Sequence, residues 1–224
     1  MAPGNTGAEF RPPQQARSRA ALQKLLTAAE DVLINQGLDD FTIAAVAEHA
    51  GVSVGGVYRR FASKEQLLEA IIDALLVNVE DTVAESLSTA EPSLSGVINA
   101  FTHALATSLS RSGRVASAMV AGQRTPETQQ RGLHTLTVLQ RLFLDAAAPY
   151  GHQIARTAQS TALTTALRTI IAASAHRAAA TQWWPDGLSW AQWADEIADM
   201  TTTYLTTAEH RSSSRQPVAH RRST

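Results

Sequence analysis

The chain has 224 residues, 44% of them hydrophobic, with 19 basic against 20 acidic groups, 12 aromatics and no cysteine. That is enough for one large or two small domains with an apolar core. It excludes a disulfide framework, a thiol nucleophile, an iron–sulfur cluster and a zinc ribbon. The opening MAPGNTGAEFRPPQQARSR lacks an apolar run of signal-peptide length, and the longest uncharged stretch, residues 92–110, is interrupted by Gly, Asn, His, Ser and Thr. The expectation is a soluble, cytoplasmic protein with no membrane partner.

The near-zero net charge conceals an uneven distribution. Residues 1–64 carry seven bases and six acids, with Arg11, Arg17, Arg19 and Lys24 in one group and Arg59, Arg60 and Lys64 in another. Residues 65–209 carry eight bases and fourteen acids, and the remainder carries four Arg and no acid. An anion-binding face therefore belongs to the first third, where bases cluster, and the middle should repel nucleic acid.

In chain order, residues 1–16 are rich in Pro, Gly, Gln and Asn and read as a flexible arm. Leu22, Leu25, Leu26, Ala29, Val32 and Leu33 then recur at helical spacing, and Gly37 is placed to stop the helix. Two short helical segments follow, IAAVAEHA and VGGVYRRF, separated by Gly51-Val52-Ser53. Ser63 and Gln66 form a capping box ahead of a long helix over residues 64–88. Further helices are expected over about residues 93–109, 113–123, 126–148, 152–180 and 190–209, with breaks at Pro92, Gly113, Pro126, Gly151 and Pro185-Asp186-Gly187. No stretch alternates with period two, so the expected class is all-α with about nine helices. The expected domains are a helix-turn-helix unit over 17–64, a helical unit over 65–209 and a disordered basic tail over 210–224.

The segment from Thr42 to Phe61 carries the most specific signal. A helix-turn-helix needs a small residue where its helices cross, a glycine in the turn and apolar residues that fix the second helix. Ala47, Gly51 and the set Val46, Ala50, Val52 and Val57 supply these in order, and Ser53 stands at the N-cap of the second helix. Tyr58, Arg59 and Arg60 on that helix are placed to reach phosphates flanking a major groove. Residues 54–56, Val-Gly-Gly, can offer a thymine methyl contact and close backbone approach, but no bidentate bond to a base.

The run Phe41-Thr42-Ile43-Ala44-Ala45-Val46-Ala47-Glu48-His49-Ala50-Gly51-Val52-Ser53 and its continuation through Tyr58, Phe61, Ser63-Lys64-Glu65 and Leu68 closely resembles the DNA-binding domain of the tetracycline-repressor (TetR) family of bacterial transcriptional regulators. The resemblance covers about residues 17–68. It implies a homodimer on a palindromic operator in double-stranded DNA, released by a small effector bound in the helical domain. It implies phosphate contacts from Thr42, Tyr58 and Lys64, a capping and contact role for Ser53, and a basic arm at Arg17 and Arg19. Val54 departs from the polar or charged residue, and Gly56 from the Ser, Thr or Ala, often found at those positions in the family it resembles, so readout is expected to lean on Val54, Ser53, the arm and DNA shape.

By the same resemblance, effector contacts fall among Phe101, Leu105, Met119, Gln123, Leu139, Phe143 and His176, an uncharged set that suits an apolar or weakly polar molecule. Trp190, Trp193, Ile197, Met200 and Tyr204 form a 3-4-3-4 apolar stripe on the last helix, and Ala158, Ala162 and Thr165 offer small residues for close helix approach; together they are the expected dimer seam. Trp183 and Trp184 lie beside it. No HExxH, G-x-S-x-G, Walker loop or G-x-G-x-x-G occurs, so no enzyme, metal or cofactor is expected. An all-helical enzyme or small-molecule carrier without DNA activity and a ligand-independent regulator or activator are the rival readings.

Overall fold

The computed structural model describes residues 14–111, 125–180 and 183–208. Among these lie eight α-helices, one 3₁₀ segment and no strand. Three helices make a head: α1 (Gln14–Asp40), α2 (Ile43–Ala50) and α3 (Val54–Tyr58). The helical period of α1 buries Leu25, Ala28, Ala29, Val32 and Leu33 on one face. Gly37 breaks its helical path at φ 82°, ψ 177°, a conformation open to glycine alone among common residues; one more turn follows before Phe41, which is fully buried. α1 begins at Gln14, so residues 14–16 are helical and not part of an arm.

The long helix α4 (Lys64–Ser88) joins the head to the body. Leu67, Ile71, Leu75, Val79 and Val83, each one turn after the last, form its buried face. One contiguous apolar cluster runs from Leu25 in the head through α4 and on to Leu205. The body is built around α5 (Leu94–Arg111), which packs against both α4 and the final helix α8 (Trp190–Thr206). Between them come α6 (Pro126–Ala147), the 3₁₀ segment Ala148–Gln153 and α7 (Gln159–Ala180). α5 is apolar on most sides because neighbours cover most of it; its buried Thr102 hydroxyl is satisfied by the Ile98 carbonyl at 2.8 Å.

The expected helix over 152–180 starts seven residues late. Residues 154–158 form no helix, because their backbone finds partners elsewhere: Ala155 N donates to Leu205 O at 2.9 Å, and Arg156 Nε donates to Tyr204 O at 2.6 Å while its guanidinium lies over the Tyr204 ring. Gln153 Oε1 accepts from Leu94 N at the start of α5. These long-range bonds outweigh local propensity. The remaining boundaries fall within about three residues of expectation. The helix expected over 113–123 and the basic tail lie outside the described residues.

Candidate nucleic-acid interface and ligand cavity

The head is organised by three caps. The Thr42 hydroxyl accepts from Ala45 N at 3.1 Å, Gly51 ends α2 in the left-handed region (φ 67°), and the Ser53 hydroxyl accepts from Gly56 N at 3.1 Å. Gly51 also lets Val52 N reach Ala47 O at 2.9 Å, which sets the turn between the two short helices. Val57 is fully buried and anchors α3 from below. The outer side of α3 is then left with an unusual set of exposed groups: Val52 and Val54, each 43% exposed, Tyr58, 53% exposed, and the cations Arg59 and Arg60. Arg19 on α1 is exposed as well, and Thr42 and Ser53 lie at the surface beside them.

Two of the expected contact residues are also engaged within the head. Gly56 is buried: a Cβ there would stand 3.2 Å from Ser53 Oγ, so the residue serves helix capping and is not a surface for bases. Gly55 is the opposite, exposed and with nothing within 4 Å of a Cβ. The Lys64 ammonium donates to the Leu38 carbonyl at 3.2 Å and sits 5.7 Å from the Phe41 ring centroid, so it ties α4 to the end of α1. The Arg17 side chain lies outside the described residues.

Residues 25–71 match the bacterial regulatory proteins of the tetR family. The match lies in the head and its junction with α4. The HTH-type transcriptional regulator BetI 1 of Chromohalobacter salexigens is 39% identical over 71 residues, 32% of this chain and 33% of that protein. The chain thus matches about a third of the length of such relatives. A TetR-family transcriptional regulator from Mesorhizobium loti superposes with a TM-score of 0.65 at 17% identity, covering 84% of this chain and 96% of the other. FadR of Bacillus subtilis, solved with stearoyl-CoA, superposes with a TM-score of 0.59 at 15% identity over 82% and 98%. The tetR-family fold therefore extends through the body, while sequence similarity is confined to the head.

In the body α4, α5, α6 and α7 enclose a cavity of about 330 Å³. Leu75, Leu76, Val79, Leu105, Leu109, Leu133, Leu136, Leu139 and Ile171 make an apolar wall, and among the described residues none that is ionisable lines it. Of the expected effector contacts, Leu105 and Leu139 are in this wall. Phe101 and Phe143 are not; both are fully buried and meet edge to face at 4.9 Å as core. His176 is exposed on another side of α7, its ring 6.2 Å from that of Trp184. Met119 and Gln123 lie outside the described residues.

The sequence reading missed the polar junction beside the cavity. Arg131 Nε donates to Asp73 at 2.6 Å, its Nη1 donates to Glu80 at 2.7 Å, and the Thr135 hydroxyl, on the cavity wall, donates to Glu80 at 2.6 Å. Burial alone would raise the Glu80 pKa, but hydrogen bonds from Arg131 and Thr135 outweigh it and hold the carboxyl below its ordinary value. Desolvation of Arg131 is likewise overcome by its two carboxylates, which raise its pKa. Glu69, Asp73 and Glu80 on one face of α4 were the available signal; the partner on α6 was not legible.

The expected dimer seam divides. Trp193 packs inward against Ala106 and Ala194, and Ala162 is buried in the core. Trp190, Ile197 and Tyr204 are half-buried, and Met200, Ala158 and Thr165 face outward. Arg177 is buried beneath Trp190 and Trp193, pairs with Asp186 and donates to the Leu188 carbonyl at 2.8 Å, which pins the turn before α8. That turn holds Trp183 and Trp184 outward, 79% and 75% exposed. Among the described residues, no helix is long and apolar enough to cross a membrane.

Proposed function

We propose that the protein is a transcriptional regulator that binds a palindromic operator as a homodimer and releases it when a small, uncharged and mainly apolar molecule fills the cavity. The observation that carries this reading is the head: three caps hold α3 with Val52, Val54, Gly55 and Tyr58 outward and Arg59, Arg60 and Arg19 around them. Apolar tips suit thymine methyls, an open Gly55 permits close approach of the backbone, and the flanking guanidinium groups suit phosphates. Two such heads one helical turn apart on DNA require a two-fold partner. The outward face of α7 with Thr165, Arg168, Thr169 and Ala172, continued by Met200, Trp183 and Trp184, is the surface we assign to it.

The cavity supports the effector half of the reading. Its Ser174 and Thr135 hydroxyls are already bonded within the protein, at 2.8 Å to Ile170 O and 2.6 Å to Glu80, so an entering molecule meets mostly hydrocarbon. FadR of Bacillus subtilis, of similar fold, was solved in complex with stearoyl-CoA, which supports an effector with an apolar part. Effector binding is expected to weaken operator affinity by about 1–3 kcal/mol.

The deciding experiment selects operator sites from random DNA with the purified protein and titrates the best site against salt and unrelated competitor. Recovery of a palindrome, bound with a steep salt dependence, supports the regulator. Binding no tighter than to competitor overturns it and favours a small-molecule binder without DNA activity.

A further inference from the structure

Thr135 stands at a junction no other cavity-wall residue shares among the described residues. It is 3% exposed, and its hydroxyl lies 2.6 Å from Glu80 Oε1 on α4 and 2.6 Å from Arg131 Nη1. Arg131 spans two acids of α4, Asp73 and Glu80, and Thr125 at the N-cap of α6 donates to a third, Glu69, at 2.9 Å. At 100° per residue these three acids fall within about 40° of one another, so one acidic stripe on α4 receives the donors of Thr125, Arg131 and Thr135. The pairs ascend both helices in the same direction. The other contacts between α4 and the cavity are made by leucine and valine, which tolerate sliding, whereas charge-assisted hydrogen bonds near 2.6 Å are lost on small displacements.

We propose that Thr135 is a positioning residue that transmits cavity occupancy to α4 through Glu80 and Arg131, and so to the head that the first turn of α4 holds. This rests on the effector-regulated reading above. A molecule filling the cavity displaces the Thr135 side chain, removes its hydroxyl from Glu80 and leaves Arg131 to redistribute between Glu80 and Asp73, about 10 Å apart along the helix. α4 then resets against α6, and the Lys64 tether to Leu38 carries the change into α1 and the head.

The test needs no operator. N-phenyl-1-naphthylamine, an uncharged apolar fluorophore, serves as the cavity probe, and amide hydrogen exchange is read in the wild type, Thr135→Val, Thr135→Ser and Glu80→Gln, with and without saturating dye. The expected result is that dye changes exchange in α4 and residues 43–61 by about fivefold or more in the wild type and in Thr135→Ser, which keeps the hydroxyl. In Thr135→Val and Glu80→Gln the dye still binds, and the change stops at the cavity wall. A Thr135→Val protein that transmits the change as the wild type does overturns the proposal and assigns the route to Leu75, Leu76 and Val79. A wild type that does not bind the dye, or binds it with no change beyond the wall, overturns it as well. If Thr135→Val fails to fold, Glu80→Gln carries the same decision. Operator binding measured on the same samples separates this outcome from failure of the regulator reading, since loss of DNA binding alone leaves the exchange result standing.

Discussion

The head and the body are held by bonds of different reach. In the head each short helix is set by a residue within three positions of its end: Thr42 bonds Ala45, Gly51 turns the chain, Ser53 bonds Gly56, and Ser63 bonds Gln66 at 3.3 Å at the start of α4. The body is fixed across long sequence distances, with Leu94 bonded to Gln153, Ala155 to Leu205, Arg131 to Asp73 and His103 to Asp195. On the proposed function the head meets one fixed object, the groove of a duplex, so its local geometry admits few sequences. The body needs only to close around a cavity and follow the packing rules of helices, which many sequences satisfy. That is why relatives match the head in sequence and the body in fold alone.

The contrast can be broken most forcefully at the core the two regions share. Phe41→Ala in the head and Phe101→Ala in the body each remove a fully buried ring and should cost about 3–5 kcal/mol in urea unfolding. Because one apolar cluster joins the regions, both variants should still unfold in a single transition. Two separated transitions would show that the head is an independent unit. Next in size is Gly96→Ala in the first turn of α5, where a Cβ would meet the Glu91 carbonyl oxygen at 2.4 Å. Backbone must move to relieve that contact, and a loss of about 1–3 kcal/mol is expected; an unchanged melting temperature would show that the turn before α5 yields freely.

A smaller effect should stay within the head. Ser53→Ala removes the cap of a five-residue helix that also contains two glycines, with a cost of about 1 kcal/mol. Faster amide exchange in α3, with the body unchanged, is the expected sign. Equal acceleration in α5 and α7 would contradict the local character of the head.

The same difference in reach explains what the sequence disclosed. Thr42, Gly51, Ser53, the Ser63–Gln66 cap and the buried face of α4 were legible because each signal and its partner lie within a turn or two. So was the exposure of Val54 and Tyr58. Gly56 was misplaced because a helix of five residues has no periodicity long enough to tell its inner from its outer side. The Lys64 bond to Leu38 was not legible, since that carbonyl lies 26 residues away. Phe101, Phe143 and Trp193 carried the right hydrophobic pattern for the wrong purpose: apolar spacing marks a buried face, but whether that face meets core, cavity or second subunit depends on which helix lies opposite. Of the Arg131 cluster only the acidic face of α4 was legible; its partner on α6, 51 to 58 residues away, was not.

The smallest effect concerns that cluster and is distinguished by its pH dependence. Glu80 is only partly buried, and its pairing with Arg131 is of the kind worth about 1 kcal/mol or less. Its folded pKa lies below the ordinary glutamate value, so the carboxylate stabilises the fold fully above about pH 4.3, and that contribution is lost as pH falls through the lower, folded value. Glu80→Gln removes the charge at every pH. The stability gap between wild type and Glu80→Gln, measured by urea unfolding, should therefore be widest near neutral pH and close as the pH falls through the lowered, folded pKa. His134 also faces Glu80 electrostatically, so the comparison is best repeated in His134→Gln. A gap that stays open in acid would mean that the shape and hydrogen bonding of the side chain, and not its charge, hold α6 against α4. The tie between cavity and long helix would then be set by packing alone, in keeping with the rest of the body and unlike the capped head.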